Sequence, residues 1–334
     1  MSLTSELNDP NSPLSLFMNG ALPATSRITG SMRGRLPVRP STVTPECTQH
    51  PDYRSLGRAI DRRLRIAFGS PIDAALLDGV LYAGIDVAEA ISPLAGQAVH
   101  GIGQALLSEL KEQTAACGGA MTRPHASEDR LGRLCFAASH FEEVKRAGLR
   151  PGNPLLHLGA NAMLDDLLGQ VPAYASQDIA RQMELAAADH AMGWVTRRHE
   201  DKRICAPVFS GSNDVGGADA DFIVDGHLID CKATTRPERF GSRKEVHQLA
   251  GYLLLDYEDE YGLDKVCFYL SRQGLLVTWS TQEFLELLGA RQPLPKLRAA
   301  LRQALRESNA PASPQEPLSL GPTQESLFGE DGTG

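Results

Sequence analysis

The pair Asp225-Gly226, set between the apolar runs Phe222-Ile-Val224 and Leu228-Ile229, constrains this chain more than any other feature. Asp-Gly between β-forming runs is the sequence of a two-residue type I′ hairpin, because both central positions need positive φ. That turn sets Val224 opposite His227. Continued outward, it sets Asp221 opposite Asp230 and Asp219 opposite Lys232. Directly opposed side chains share a face, and successive side chains alternate between faces. One face is therefore expected to carry Asp219, Asp221, Asp230 and Lys232, and the other Ala220, Phe222, Val224, Ile229 and Cys231. Like charges set opposite each other destabilise a sheet, and a divalent cation bound by carboxylate oxygens would offset the repulsion. The competing reading is a solvated acidic face screened by Lys232.

The spacing Asp221…Asp230-x-Lys232 resembles the signature of the PD-(D/E)xK nuclease superfamily. Downstream, Gln248-x-x-x-Tyr252 resembles the helix motif of its RecB-like and lambda-exonuclease-like branch, with both residues on one helix face at i and i+4. The likeness covers residues 176–288 and departs from the pattern twice: no proline precedes Asp221, and the second acid is Asp rather than Glu. It implies an α/β fold with a restriction-endonuclease-like mixed β-sheet core flanked by helices. It further implies dependence on Mg²⁺ or Mn²⁺ and hydrolysis of DNA phosphodiester bonds, in repair, recombination or defence against foreign DNA. By the same resemblance Asp221 and Asp230 ligate the metal, with Glu184 of the first core helix as a further acid. Lys232 positions water or neutralises charge, and Gln248 and Tyr252 orient water or phosphate. Asp219 is the alternative first ligand; Asp221 is preferred because it stands opposite Asp230. Arg236, Arg239, Arg243 and Lys244 follow the hairpin as cations suited to phosphate contact, or as a solvated basic loop. The rival reading keeps the fold and loses the chemistry, leaving a nucleic-acid-binding or assembly subunit.

Composition bounds the remaining classes. At 334 residues, 42% hydrophobic and 22% charged, the chain is ordinary for a globular protein. A net charge of −8 argues against a general nucleic-acid coat. The most apolar run, residues 74–91, is interrupted by Asp78, Asp86 and Glu89, so no membrane span is expected. No basic-then-apolar leader opens the sequence. The six cysteines are scattered without a Cys-x-x-Cys, which points to the reducing cytoplasm. No Gly-x₄-Gly-Lys-Ser/Thr motif is present, so a helicase or ATPase would act in trans.

Residues 1–52, rich in Pro, Ser, Thr and Gly, read as a disordered N-terminal tail in which Arg27, Arg33, Arg35 and Arg39 are solvated. Residues 53–175 read as an all-helical N-terminal half, with helical periods over 53–68, 72–81, 86–91, 95–116, 128–147 and 155–168 and no catalytic constellation. The nuclease-like core follows over 176–290: a helix over 176–195 capped by Ser176 with Asp178, a strand over 204–209, the hairpin and the Gln248 helix. Strands over 265–270 and 275–279 and a helix over 281–288 complete it. Residues 291–308 form an amphipathic basic helix, and 309–334 a disordered acidic tail. Within that tail Gln324-Glu-Ser-Leu-Phe328 resembles the pentapeptide by which bacterial DNA-processing proteins dock on the sliding clamp, with Gln324, Leu327 and Phe328 as the matching residues.

Overall fold

Asp225 at φ 48° and Gly226 at φ 78° make the positive-φ turn that the Asp-Gly pair requires. From it the strands β2 (Phe222–Val224) and β3 (His227–Lys232) run back antiparallel in the expected register, with Phe222 opposite Ile229 and Val224 opposite His227. In this computed structural model, which describes residues 2–38, 40–47 and 50–309, the hairpin is the middle of a five-stranded mixed sheet. Strand β1 (Arg203–Cys205) flanks β2 antiparallel, and β4 (Lys265–Leu270) flanks β3 in parallel. Strand β5 (Leu275–Ser280) closes the edge antiparallel to β4. The protein is thus mixed α/β. The first strand is shorter than the span 204–209 because Ala206, at φ 49°, turns the chain before Pro207.

Helices cover both faces of the sheet. On one side lie α4 (Tyr53–Ala67), α5 (Ala74–Ala90), α6 (Pro93–Cys117), α7 (His125–Ala147), α8 (Leu164–Gly169) and α9 (Ala173–Ala186). Their buried residues form one continuous core with Phe222, Val224, Ile229, Cys267 and Tyr269 of the sheet. A boundary at 175 therefore does not separate two cores: the helical half is a layer of the sheet domain. On the other side α10 (Arg243–Leu255) crosses between the parallel strands β3 and β4, joined by α11 (Thr281–Leu287) and α12 (Leu294–Asn309). These pack on Ile223, Leu228, Val266, Phe268 and Leu270.

Several expectations are corrected. Residues 2–36 are folded, as α1 (Leu3–Asn8), α2 (Pro13–Ala21) and α3 (Thr25–Arg35). Ser2 and Ser12 cap the first two helices, and Leu3, Leu14, Met18, Leu22, Ile28 and Met32 are buried in the second core. Arg35 pairs with Glu283 at 2.5 Å and lies over the Trp279 ring. The spans 72–81 and 86–91 are one helix. The span 155–168 is a short turn at Pro154–His157 followed, after a break, by α8. The helix expected over 176–195 runs from Ala173 to Ala186, so Ser176 and Asp178 lie inside it rather than at its cap. Asp178 instead makes a two-point ion pair, at 2.7 and 2.9 Å, with Arg272 of the β4–β5 turn, and both side chains are fully buried. Three arginines of α4, Arg62, Arg63 and Arg65, are buried: Arg62 pairs with Glu142 and Asp73, and Arg63 with Glu128 at 2.7 Å, all within the helical layer. No described helix is long and apolar enough to cross a membrane. The motif Gln324, Leu327 and Phe328 lies outside the described residues.

Candidate active site

Strand β3 outruns β2, and the candidate site sits where the shorter strand gives out. Past Phe222 the ladder lapses, and the Asp221 carboxylate takes the Cys231 N–H at 2.7 Å, in place of the main-chain acceptor a longer β2 would offer. Asp219 does not pair with Lys232, which is opposite Leu270 in the parallel ladder. It forms a lone bridge with Val208 and an ion pair, at 3.7 Å, with Arg146 of α7. Ala220 likewise leaves the face predicted for it and packs with Ile223 and Leu228. Simple alternation fails here because it presumes a regular strand as far as residue 219.

Along β3, Leu228, Asp230 and Lys232 point to the α10 side. Asp230 is 2% exposed, and Lys232 Nζ lies 2.8 Å from its Oδ2. Lys232 also donates to Gln248 Oε1 at 3.3 Å, and Gln248 Nε2 donates to the Tyr252 hydroxyl at 3.1 Å. The i, i+4 spacing on α10 puts both polar groups on one face, and Tyr252 is held flat against Phe209. Asp230, Lys232, Gln248 and Tyr252, up to 22 residues apart in sequence, thus form one connected polar chain, with Asp221 beside it. Burial pushes the Asp230 carboxyl up to about 7 against the pull of Lys232, and the Asp221 charge adds to the rise. The Lys232 ammonium resists the burial that would neutralise it and is raised by Asp230 and then Asp221. Burial raises the Tyr252 phenol well above its ordinary range.

Glu184 is not part of this group. It is exposed on α9 and lines a cleft of about 210 Å³ with Arg123, His125, Asp129 and Ser176. The acid that approaches Asp221 comes instead from α4. Asp61 Oδ1 is buried without a hydrogen-bond partner, while Oδ2 accepts from Arg65 at 2.8 Å. Arg65 is anchored on Asp73 at 2.7 Å, and its Nη2 stands 4.0 Å from Asp221 Oδ1. Burial pushes the Asp61 carboxyl up to about 8, opposed by Arg65 and assisted by Asp221. Sequence reasoning missed Asp61 because Asp61 and Arg65, at i and i+4, look like any exposed helical pair. Only the packing of α4 beside the hairpin turns them inward.

The candidate phosphate-contacting cations are all exposed, Arg236 and Arg239 on the segment joining β3 to α10 and Arg243 and Lys244 in the first turn of α10. Arg239 lies 4.0 Å from Glu238, and Arg243 donates to Asn19 at 3.2 Å. The acidic segment 256–264 is partly neutralised from α12, where buried Arg298 meets Asp256 and Asp259 at 3.1 and 2.6 Å.

Among the described residues no group of three or more His, Cys, Asp or Glu side chains is arranged to hold a metal ion unaided. The donor chemistry still fits a hard divalent cation. Mg²⁺ is usually held by one or two carboxylates together with substrate phosphates, and Asp221 and Asp230, close enough for the charge of one to raise the other, are two such carboxylates. No family model matches the chain, and no curated protein or solved structure matches it either.

Proposed function

We propose that the protein is a divalent-metal-dependent nuclease acting on DNA, with a restriction-endonuclease-like core formed by α9, β1–β5 and α10. The observation that carries this reading is the connected set Asp230–Lys232–Gln248–Tyr252 with Asp221 against the Cys231 N–H. Asp221 and Asp230 would hold Mg²⁺ or Mn²⁺ together with oxygens of the substrate phosphate. Such an ion supplies charge neutralisation at the scissile phosphate and makes a water more acidic. The Lys232 ammonium, kept charged by Asp230 and Asp221, stabilises negative charge as it develops on the phosphate. Gln248 fixes the direction of that ammonium through its carbonyl oxygen, and Tyr252 fixes Gln248. Arg236, Arg239, Arg243 and Lys244 contact the phosphate backbone beyond the site. A helicase or ATPase in trans and the sliding clamp, through Gln324, Leu327 and Phe328, remain the proposed partners.

A second reading has its own observation. Arg65 and Lys232 already bring positive charge to Asp61, Asp221 and Asp230, as in a binding or assembly subunit that has no use for a metal. One experiment separates the two: incubation of purified protein with labelled single- and double-stranded DNA, with Mg²⁺, with Mn²⁺ and with chelator. Metal-dependent cleavage is expected. Asp230→Ala and Lys232→Ala should each lower it by about 100-fold or more while far-ultraviolet circular dichroism stays unchanged. Cleavage at the wild-type rate in both variants rejects the assignment, and DNA binding without cleavage favours the second reading.

A further inference from the structure

Helix α1 reaches the candidate site from outside every motif the sequence displays. Its Leu3 N–H donates to Gly217 O at 2.8 Å, on the segment that leads into Asp219 and Asp221. The Leu3 side chain, 2% exposed, lies against Gly251 of α10. A Cβ at Gly251 would stand 2.9 Å from Leu3 Cδ1, so the absence of a side chain there lets α1 approach the helix this closely. Between these two anchors the Thr4 hydroxyl accepts from Gln248 Nε2 at 3.3 Å.

The Gln248 carboxamide is thereby held at three points. Its Oε1 accepts from Lys232 at 3.3 Å, and its Nε2 donates both to Tyr252 at 3.1 Å and to Thr4 at 3.3 Å. A carboxamide has one accepting end and one donating end. Lys232, which can only donate, selects the end that faces it. Tyr252 is one turn along the same helix, so it moves with Gln248 if α10 shifts. Thr4 belongs to a different element and ties the amide to the segment that carries the first carboxylate.

We infer that Thr4 is a positioning residue for the proposed reaction: its hydroxyl holds the Gln248 carboxamide, and through it the Lys232 ammonium, in register with Asp221 and Asp230. This rests on the nuclease reading, and the experiment keeps the two apart. Thr4→Val replaces the hydroxyl by a methyl of similar size, and Thr4→Ser keeps the hydroxyl. Losing one hydrogen bond that orients a reacting group should lower kcat about threefold to tenfold in Thr4→Val. KM for DNA and Tm should stay at wild-type values, and Thr4→Ser should keep most of kcat. An unchanged kcat in Thr4→Val overturns the inference, and so does an equal fall in both variants, which would mean lost packing rather than a lost acceptor.

The Gln248 side-chain amide protons, assigned by nuclear magnetic resonance against Gln248→Met, give a readout independent of cleavage. Their shift and solvent exchange should change in Thr4→Val and not in Thr4→Ser. If the wild type cleaves no DNA, the nuclease reading falls and this measurement still decides whether Thr4 holds the amide. Identical amide signals in wild type and Thr4→Val overturn it.

Discussion

Asp61 and Asp230 carry a cost that depends on pH. Burial raises both carboxyls, to about 8 and about 7, above the unfolded range near 4. A carboxyl with a raised folded-state pKa binds its proton more tightly in the folded protein. Its contribution is complete below the unfolded pKa and is lost as pH rises through the folded value. Between pH 4 and 6.5 His140 works in the opposite direction, since burial lowers it to about 4 and it stays neutral when folded. The carboxyls therefore act unopposed by His140 from about pH 6.5 to 8. Over that window metal-free protein should lose roughly 1–2 kcal/mol, read as a falling midpoint in urea. Asp61→Asn should flatten the fall, and an unchanged slope in that variant would place the titrating group elsewhere. At this scale the sequence was readable where chemistry followed a local rule. Asp225-Gly226 dictates its turn, and the motif spacing selected Asp230, Lys232, Gln248 and Tyr252, which do meet. Asp61 and Arg65 were not readable, because their inward orientation belongs to the packing of α4 and not to their neighbours in sequence.

Among the elements, α1–α3 show how composition can mask periodicity. Residues 1–52 contain enough Pro, Ser, Thr and Gly to look like a tail, yet Leu14, Met18 and Leu22 recur at helical spacing, as do Ile28 and Met32, and all five are buried. The serines that lowered the apparent order are caps: Ser12 accepts from Ser15 N–H at 3.0 Å. Helix α2 packs on α12, and α3 packs on α10 and α11, so these helices complete the second core. Leu14 is fully buried, and Leu14→Ala should cost about 2–5 kcal/mol, measured by chemical denaturation. A cost near zero would mean that the segment rests on the surface without contributing to the core. The second element misread, α9, was placed a few residues late because Ser176 and Asp178 resemble capping residues. Their side chains instead serve Asp129 of α7 and Arg272 of the β4–β5 turn.

At the scale of the molecule, the order helix, strand, hairpin, helix and two strands was legible, since each element has its own period and punctuation. The union of the helical half with the sheet was not, because it depends on the apolar face of β2, β3 and β4 being left for α4 to α9 to cover. A metal bound at Asp221 and Asp230 should stabilise the whole fold by mass action. At ten times its dissociation constant it adds about 1.4 kcal/mol, or roughly 2 °C in Tm for a chain of this size. Mg²⁺ or Mn²⁺ should raise Tm by that amount in the wild type and leave Asp221→Asn/Asp230→Asn unmoved. An equal rise in both would put the ion at another site. The pairing of Thr4 with Gln248, 244 residues further along, has a consequence for biosynthesis. A ribosome adding roughly 5–20 residues per second needs on the order of ten seconds or more to reach the partner. Throughout that interval Leu3, Leu14 and Met18 lack the core formed with α10 and α12, so these helices find their places long after they are made. During translation they are apolar surface open to a chaperone.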